Sequence, residues 1–152
     1  MKNALFALML TIASLSAQVT TIPSDCVTTT NNLPRLFDYS EFMHVGQPYT
    51  VEVFTDPNTV FFVSIGLPTT PFDAGLISGY TPWGTNTCFL LAWDAFTGAS
   101  VTCPNGRAFW TFQVPCDPRL VNTDIWMQAY VGCNGCPFGA APTNGLSNTV
   151  QQ

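Results

Sequence analysis

The chain predicts an all-β fold, an antiparallel β-sandwich of about seven or eight strands, on three observations. Short apolar runs alternate with polar residues at a period of two, and no segment beyond the N-terminal leader sustains a helical period. Twelve prolines fall mostly between those runs, where they punctuate the chain. Six cysteines lie behind an export-type leader, so they read as a disulfide framework.

The leader is the first element. In MKNALFALMLTIASLSAQ a single cation, Lys2, precedes an apolar run from Ala4 to Ile12, followed by the small residues Ala13, Ser14, Ser16 and Ala17. This is the order of a secretory signal peptide, with cleavage expected after Ser16 or Ala17. The apolar run is shorter than the roughly 20 residues that span a bilayer. The expected organisation is a signal peptide at 1–17 and one β-domain at 18–152, secreted or held at the cell surface, with no membrane insertion after cleavage. No cysteine stands at the cleavage site, so a lipid anchor is not expected.

Charge narrows the partners. Cleavage removes Lys2, the sole lysine, and leaves Arg35, Arg107 and Arg119 against nine carboxylates. Such a chain cannot neutralise a row of phosphates, which excludes nucleic acid and anionic membrane surfaces as expected partners. Charged residues make up only 9% of the chain, so solubility rests on Thr, Asn, Ser and Gln. That profile fits exported β-proteins and also subunits that pack against their own copies.

The β-elements follow in order. Val19 to Leu33 is Thr- and Asn-rich and reads as a strand pinned through Cys26 or as an arm. Tyr49-Thr50-Val51-Glu52-Val53-Phe54 alternates, with Tyr49, Val51 and Val53 on one face. Asp56-Pro57-Asn58 is turn chemistry, and Val60 to Ile65 follows as a nearly continuous apolar strand, so the two strands are expected to form an antiparallel hairpin. Gly75 to Tyr80 and Cys88 to Trp93 are further strands. Ala108 to Val114 and Ile125 to Val131 alternate again, the second turning Ile125, Met127, Ala129 and Val131 inward. Between them, Asp117 before Pro118 reads as the N-cap and first position of one helical turn. Leu146 to Val150 is expected to close a sheet edge.

Cys26, Cys88, Cys103, Cys116, Cys133 and Cys136 are all expected to be disulfide cysteines. Gly132-Cys133-Asn134-Gly135-Cys136-Pro137 has the spacing of half a zinc site or a redox dithiol. A second close pair is missing, and the glycines and proline prevent the helix that would lower a thiol pKa. An oxidised, structural role is therefore expected, and whether these two cysteines bond each other or separate partners is left open by the sequence. A turn at Asp94-Ala95-Phe96-Thr97 would bring Cys88 opposite Cys103, close enough to bond.

The order VFFVSIGLP, GLISGY, NTCFLLAW, NGRAFWTFQVPCDPRL, IWMQAY and NGLSNTV resembles a family of small exported β-sandwich modules, a largely uncharacterised family of bacterial secreted proteins. The matching positions are Gly66 and Leu67, Cys88, Pro115, Asp117 to Leu120, Gln128, and Gly145 to Asn148, over roughly Gly46 to Val150. The extra cysteines, Cys133 and Cys136 among them, depart from the family pattern. The resemblance implies fold and export, and it carries no activity.

No catalytic constellation emerges. His44 is the only histidine, and no G-x-S-x-G elbow accompanies it; Ser64 and Ser78 lie in or beside strands. Asp73, Asp94, Asp117 and Asp124 stand at predicted turns, where Asp makes local hydrogen bonds. Asp56-Pro57-Asn58 and Asp94 offer oxygen ligands without the dense spacing of a calcium loop. Neither an enzyme, a metal nor a cofactor is expected.

Most of the aromatic residues are expected to fill the core, and for the two faces that follow a covering sheet or loop is favoured over exposure. Trp126, Gln128 and Tyr130 share the face opposite Met127, and Phe109, Thr111 and Gln113 share the face opposite Trp110. Where such a face meets solvent it forms a platform of rings and amides for a glycan or a protein. The expected function is a non-catalytic extracellular structural or adhesive module that works by surface or self-association. The alternative is a carbohydrate-binding module using Trp126, Gln128 and Tyr130, and a secreted hydrolase is third.

Overall fold

The computed structural model describes residues 19–22, 33–68, 72–73, 89–90, 95–136 and 139–152, excepting the side chains of 72–73, 89–90 and 95–97. The expected signal peptide, Cys26, Cys88, Asp94 and the strand expected at Gly75–Tyr80 lie outside these residues.

The chain is all-β. Its strands are β1 (Thr20–Ile22), β2 (Arg35–Asp38), β3 (Met43–His44), β4 (Pro48–Phe54), β5 (Val60–Gly66), β6 (Phe72–Asp73), β7 (Phe89–Leu90), β8 (Ala95–Val101), β9 (Arg107–Gln113), β10 (Asp124–Gly132) and β11 (Ala140–Gln151). One sheet runs β1-β11-β10-β5-β8 with antiparallel neighbours, and the short β3 joins β11 in parallel. A second antiparallel sheet has the order β2-β4-β9, and β6 pairs with β7 alone. Among the described residues no helix is long and apolar enough to cross a membrane.

Hydrophobic pattern assigns the strands to their sheets. In β4 only one side is consistently apolar: Tyr49, Val51 and Val53 are fully buried, while Pro48 and Phe54 at its ends are exposed. Such a strand suits a sheet with one solvated face. The near-continuous apolar run of β5 needs cover on both faces, and β5 lies between β8 and β10 in the larger sheet. The expected β4–β5 hairpin is therefore not formed. Asp56-Pro57-Asn58 instead carries the chain from one sheet to the other, with Asn58 in the left-handed region at φ 53°. Buried Thr102 secures the crossing: its hydroxyl accepts from Thr59 N–H at 2.9 Å and donates to the Asp56 carbonyl at 2.8 Å.

Two further expectations are corrected. Ala95 to Thr97, expected within a turn at Asp94–Thr97, belong instead to the strand β8 along β5, because β5 must fill its second edge. The C-terminal strand is longer than Leu146–Val150 and is interior, flanked by β1 and β10. The helical turn at Asp117 is present as a 3₁₀ turn, Pro118–Leu120, with the Asp117 side chain accepting from Arg119 N–H.

One core draws on both sheets: Leu36, Tyr49, Val51 and Val53 from the smaller, Phe61, Val63, Met127, Ala129 and Val131 from the larger. Phe61 meets Trp110 edge-on across it, with ring centroids 6.2 Å apart. Several of the polar side chains inside bond to backbone groups that the strand pairing leaves over. A bulge in β11 sets Thr143 and Asn144 together opposite Ala129 of β10, and the Thr143 hydroxyl accepts the Ala129 N–H at 3.1 Å. Asn144 reaches β2, accepting from Leu36 N–H at 2.8 Å and donating to the Leu36 carbonyl at 2.9 Å. Its amide thus stands in for a strand along the outer edge of β2.

Cys133 and Cys136 are bonded to each other and close the β10–β11 turn, with Gly135 in the left-handed region at φ 86°. The structural reading of that motif holds. Cys103 and Cys116 are exposed free thiols, contrary to their expected place in the framework, and the Cys88–Cys103 bond is not formed. They flank opposite ends of β9, whose seven residues span about 23 Å, so they cannot bond each other either.

Candidate binding face

The three residues singled out as a platform do not form one. Gln128 is fully buried and Tyr130 nearly so, because β10 is a central strand covered on both faces. Gln128 Nε2 donates to the Thr143 carbonyl at 2.7 Å, and the Gln128 carbonyl accepts from the Ser64 hydroxyl at 3.2 Å. Tyr130 stacks on Phe62, centroids 5.2 Å apart. Trp126 is half-buried at the end of the row. The period-two pattern placed these residues on one face correctly, but nothing local records that another layer covers it.

The second face weighed from the sequence does meet solvent. In β9, Phe109, Thr111 and Gln113 are exposed while Ala108, Trp110 and Phe112 turn inward. β4 and β2 extend this face through the register Phe37–Glu52–Phe109 and Arg35–Phe54–Arg107. Four rings stand on it: Phe37 at 48% exposure, Tyr39 at 64%, Phe54 at 38% and Phe109 at 55%. Beyond the end of β2, Tyr39 N–H donates to the Thr50 carbonyl, and the Tyr39 ring meets Phe109 of β9 edge-on at 4.9 Å. The Thr50 and Thr111 hydroxyls bond each other at 2.7 Å on the same face.

One ion pair sits among the rings. Glu52, nearly buried between Phe37 and Phe109 in the register, accepts from Arg107 Nε. That hydrogen bond, with the carboxylate's charge, raises the Arg107 pKa above its ordinary value. An open depression of about 250 Å³ is lined by Phe37, Glu52, Phe54 and Arg107. It sets flat apolar rings around a carboxylate–guanidinium pair, with the Thr50 and Thr111 hydroxyls elsewhere on the same face. The sequence does not predict β2, because four residues between Pro34 and the turn residues that follow carry too little periodicity.

The remaining candidates are dispersed. His44 is half-buried in β3, its Nδ1 2.9 Å from the Gln152 carbonyl oxygen. Ser64 is buried on the other strand network, at the Gln128 carbonyl. Asp117 holds Arg119 as an exposed pair, which lowers the Asp117 pKa. Asp124 accepts from the Thr149 hydroxyl at 2.5 Å. Among the described residues no three His, Cys, Asp or Glu side chains converge as metal ligands do. Comparison with protein-family models, with curated proteins and with solved structures gives no match for this chain.

Proposed function

We propose that the protein is an exported β-sandwich module without catalytic machinery, structural or adhesive in role, that works by surface and self-association. The observation that carries this reading is the outer face of the β2-β4-β9 sheet, where Phe37, Tyr39, Phe54 and Phe109 are held in solvent by rigid strands. Exposed rings of this kind are costly to keep in water and are the residues that dominate association energies. The scarcity of charge removes the usual barrier to like surfaces meeting. The leader and the oxidised Cys133–Cys136 turn support export.

A second reading, carbohydrate binding, uses the same face in place of Trp126, Gln128 and Tyr130. It is favoured by Tyr39 and Phe109 standing beside the Thr50, Thr111 and Gln113 polar groups, since sugars stack on rings while their hydroxyls take hydrogen bonds.

Light scattering across a concentration series and a glycan array test both. Concentration-dependent assembly beyond a dimer, lost in Tyr39→Ser/Phe109→Ser, supports association between faces. Glycan binding lost in the same variant transfers the function to the second reading. Hydrolysis of a glycan or ester abolished by His44→Ala overturns both.

A further inference from the structure

Among the described residues the outer edge of β9 pairs with no strand, and backbone geometry specifies what fits it. In an antiparallel pair, alternate residues point both N–H and C=O at the neighbour. Val114 N–H donates to the Gln47 carbonyl and Thr55 N–H to the Gly106 carbonyl, at the two ends of the β4–β9 register. The alternation therefore turns Ala108, Trp110 and Phe112 toward β4, and Arg107, Phe109, Thr111 and Gln113 away from it. Arg107 is satisfied locally, its N–H donating to Asn105 Oδ1 at 3.1 Å and its carbonyl accepting from Cys103 N–H at 2.9 Å. Phe109, Thr111 and Gln113 are left pointing outward, and among the described residues no strand lies beside them.

Native sheets protect such an edge with lysine, proline or a bulge. From Arg107 to Gln113 there is none, whereas β2, the other edge of the same sheet, is covered by Asn144.

We infer that β9 pairs with β9 of a second copy, antiparallel and with the two-fold axis at Thr111, joining two three-stranded sheets into one. This deepens the self-association reading and rests on it. The edge is self-complementary only in this register: Phe109 meets Gln113 of the second copy and Thr111 meets Thr111 of the second copy, so every outward group finds a partner. Shifting the axis to Trp110 would set Gln113 against Arg107, whose groups are already engaged. On the outer face the Thr50–Thr111 hydroxyl pair continues across the axis into a threonine ladder. On the inner face the half-buried Trp110 comes opposite Phe112 of the second copy. No like charges meet, because Arg107 falls opposite Pro115 and is held by Glu52.

The test is sedimentation velocity on the purified chain, with the thiols of Cys103 and Cys116 alkylated so that no intermolecular disulfide contributes. Wild type should form a reversible dimer. Thr111→Lys and Thr111→Glu each place like charges on two residues whose Cα atoms lie about 5.5 Å apart across the axis and should weaken dimerisation about tenfold or more. Mixing the two variants one to one should restore it. A wild type that stays monomeric, a Thr111→Lys variant that dimerises as well as wild type, or a mixture that recovers nothing would each overturn the inference. Hydrogen exchange on wild type needs no variant: the Phe109, Thr111 and Gln113 amides should gain protection as concentration rises, and unchanged protection there refutes the pairing. Tyr39→Ser leaves this edge intact, so loss of face-to-face assembly and loss of the dimer are separable results.

Discussion

Replacing Asn144 by alanine should destabilise the protein more than any other change to an uncharged polar side chain. The residue is 3% exposed and its amide satisfies both backbone groups of Leu36, which is itself 1% exposed. Alanine leaves a buried N–H and a buried C=O without partners. Each such group costs about 1–3 kcal/mol, so the loss should total about 2–6 kcal/mol. Against the roughly 5–15 kcal/mol that stabilises a typical domain, that is a large fraction. Urea unfolding followed by tryptophan fluorescence should show the midpoint falling at constant slope, and hydrogen exchange should show the Leu36 amide losing protection ahead of its neighbours. Thr149→Ala is the control: it removes an exposed side-chain bond to Asp124 and should cost under about 0.5 kcal/mol. A loss below about 1 kcal/mol for Asn144→Ala, with the Leu36 amide as protected as before, would refute the idea that this side chain replaces a strand.

Removing the disulfide with Cys133→Ser/Cys136→Ser should cost about 2 kcal/mol, since the bond spans a separation of only 3 residues and little chain entropy is recovered; calorimetry measures it. Gly106→Ala should destabilise by more than about 1 kcal/mol in urea, because φ is +76° and the new methyl would strike the Thr55 carbonyl. Burial pushes the Tyr49 phenol well above its ordinary value, helped by its hydrogen bond to Asp38 and opposed by that from Asn148. Because the folded value is the higher one, this contribution is complete below about pH 10 and declines above it, by about 1.4 kcal/mol per pH unit. Thermal melts from pH 8 to 11.5 should show that decline, and Tyr49→Phe should reduce its slope. Tyr39→Ala should leave the melting temperature within a few degrees of wild type, since its edge-on contact with Phe109 contributes only about 1 kcal/mol, while association through the face is lost.

Element type was legible because it is local. Alternation in Tyr49–Phe54, Ala108–Val114 and Ile125–Val131 reports that every second side chain leaves water, and Asp117-Pro118 carries its turn in two residues. Of the inward set Ile125, Met127, Ala129 and Val131, the last three are fully buried and Ile125, near the strand's start, is partly so. The structural role of Cys133 and Cys136 was legible in the glycines that forbid the helix a reactive dithiol needs, while their bond to each other was decided by the structure.

What only the tertiary structure decided is which sheet each strand joins and which face is left bare. A period of two marks a face without stating what stands against it. Gln128 and Tyr130 alternate as correctly as Phe109 and Thr111, yet β10 lies in the middle of the larger sheet and β9 at the edge of the smaller one. Asp56-Pro57-Asn58 turns the chain in either arrangement, and the double-sided apolar demand of β5 sends it across to the other sheet. The exposed aromatic face assembles from Phe37, Tyr39, Phe54 and Phe109, residues up to 72 positions apart in the sequence, through the pairing of β2, β4 and β9. Covering and pairing are long-range events, and the local pattern of a chain carries no record of them.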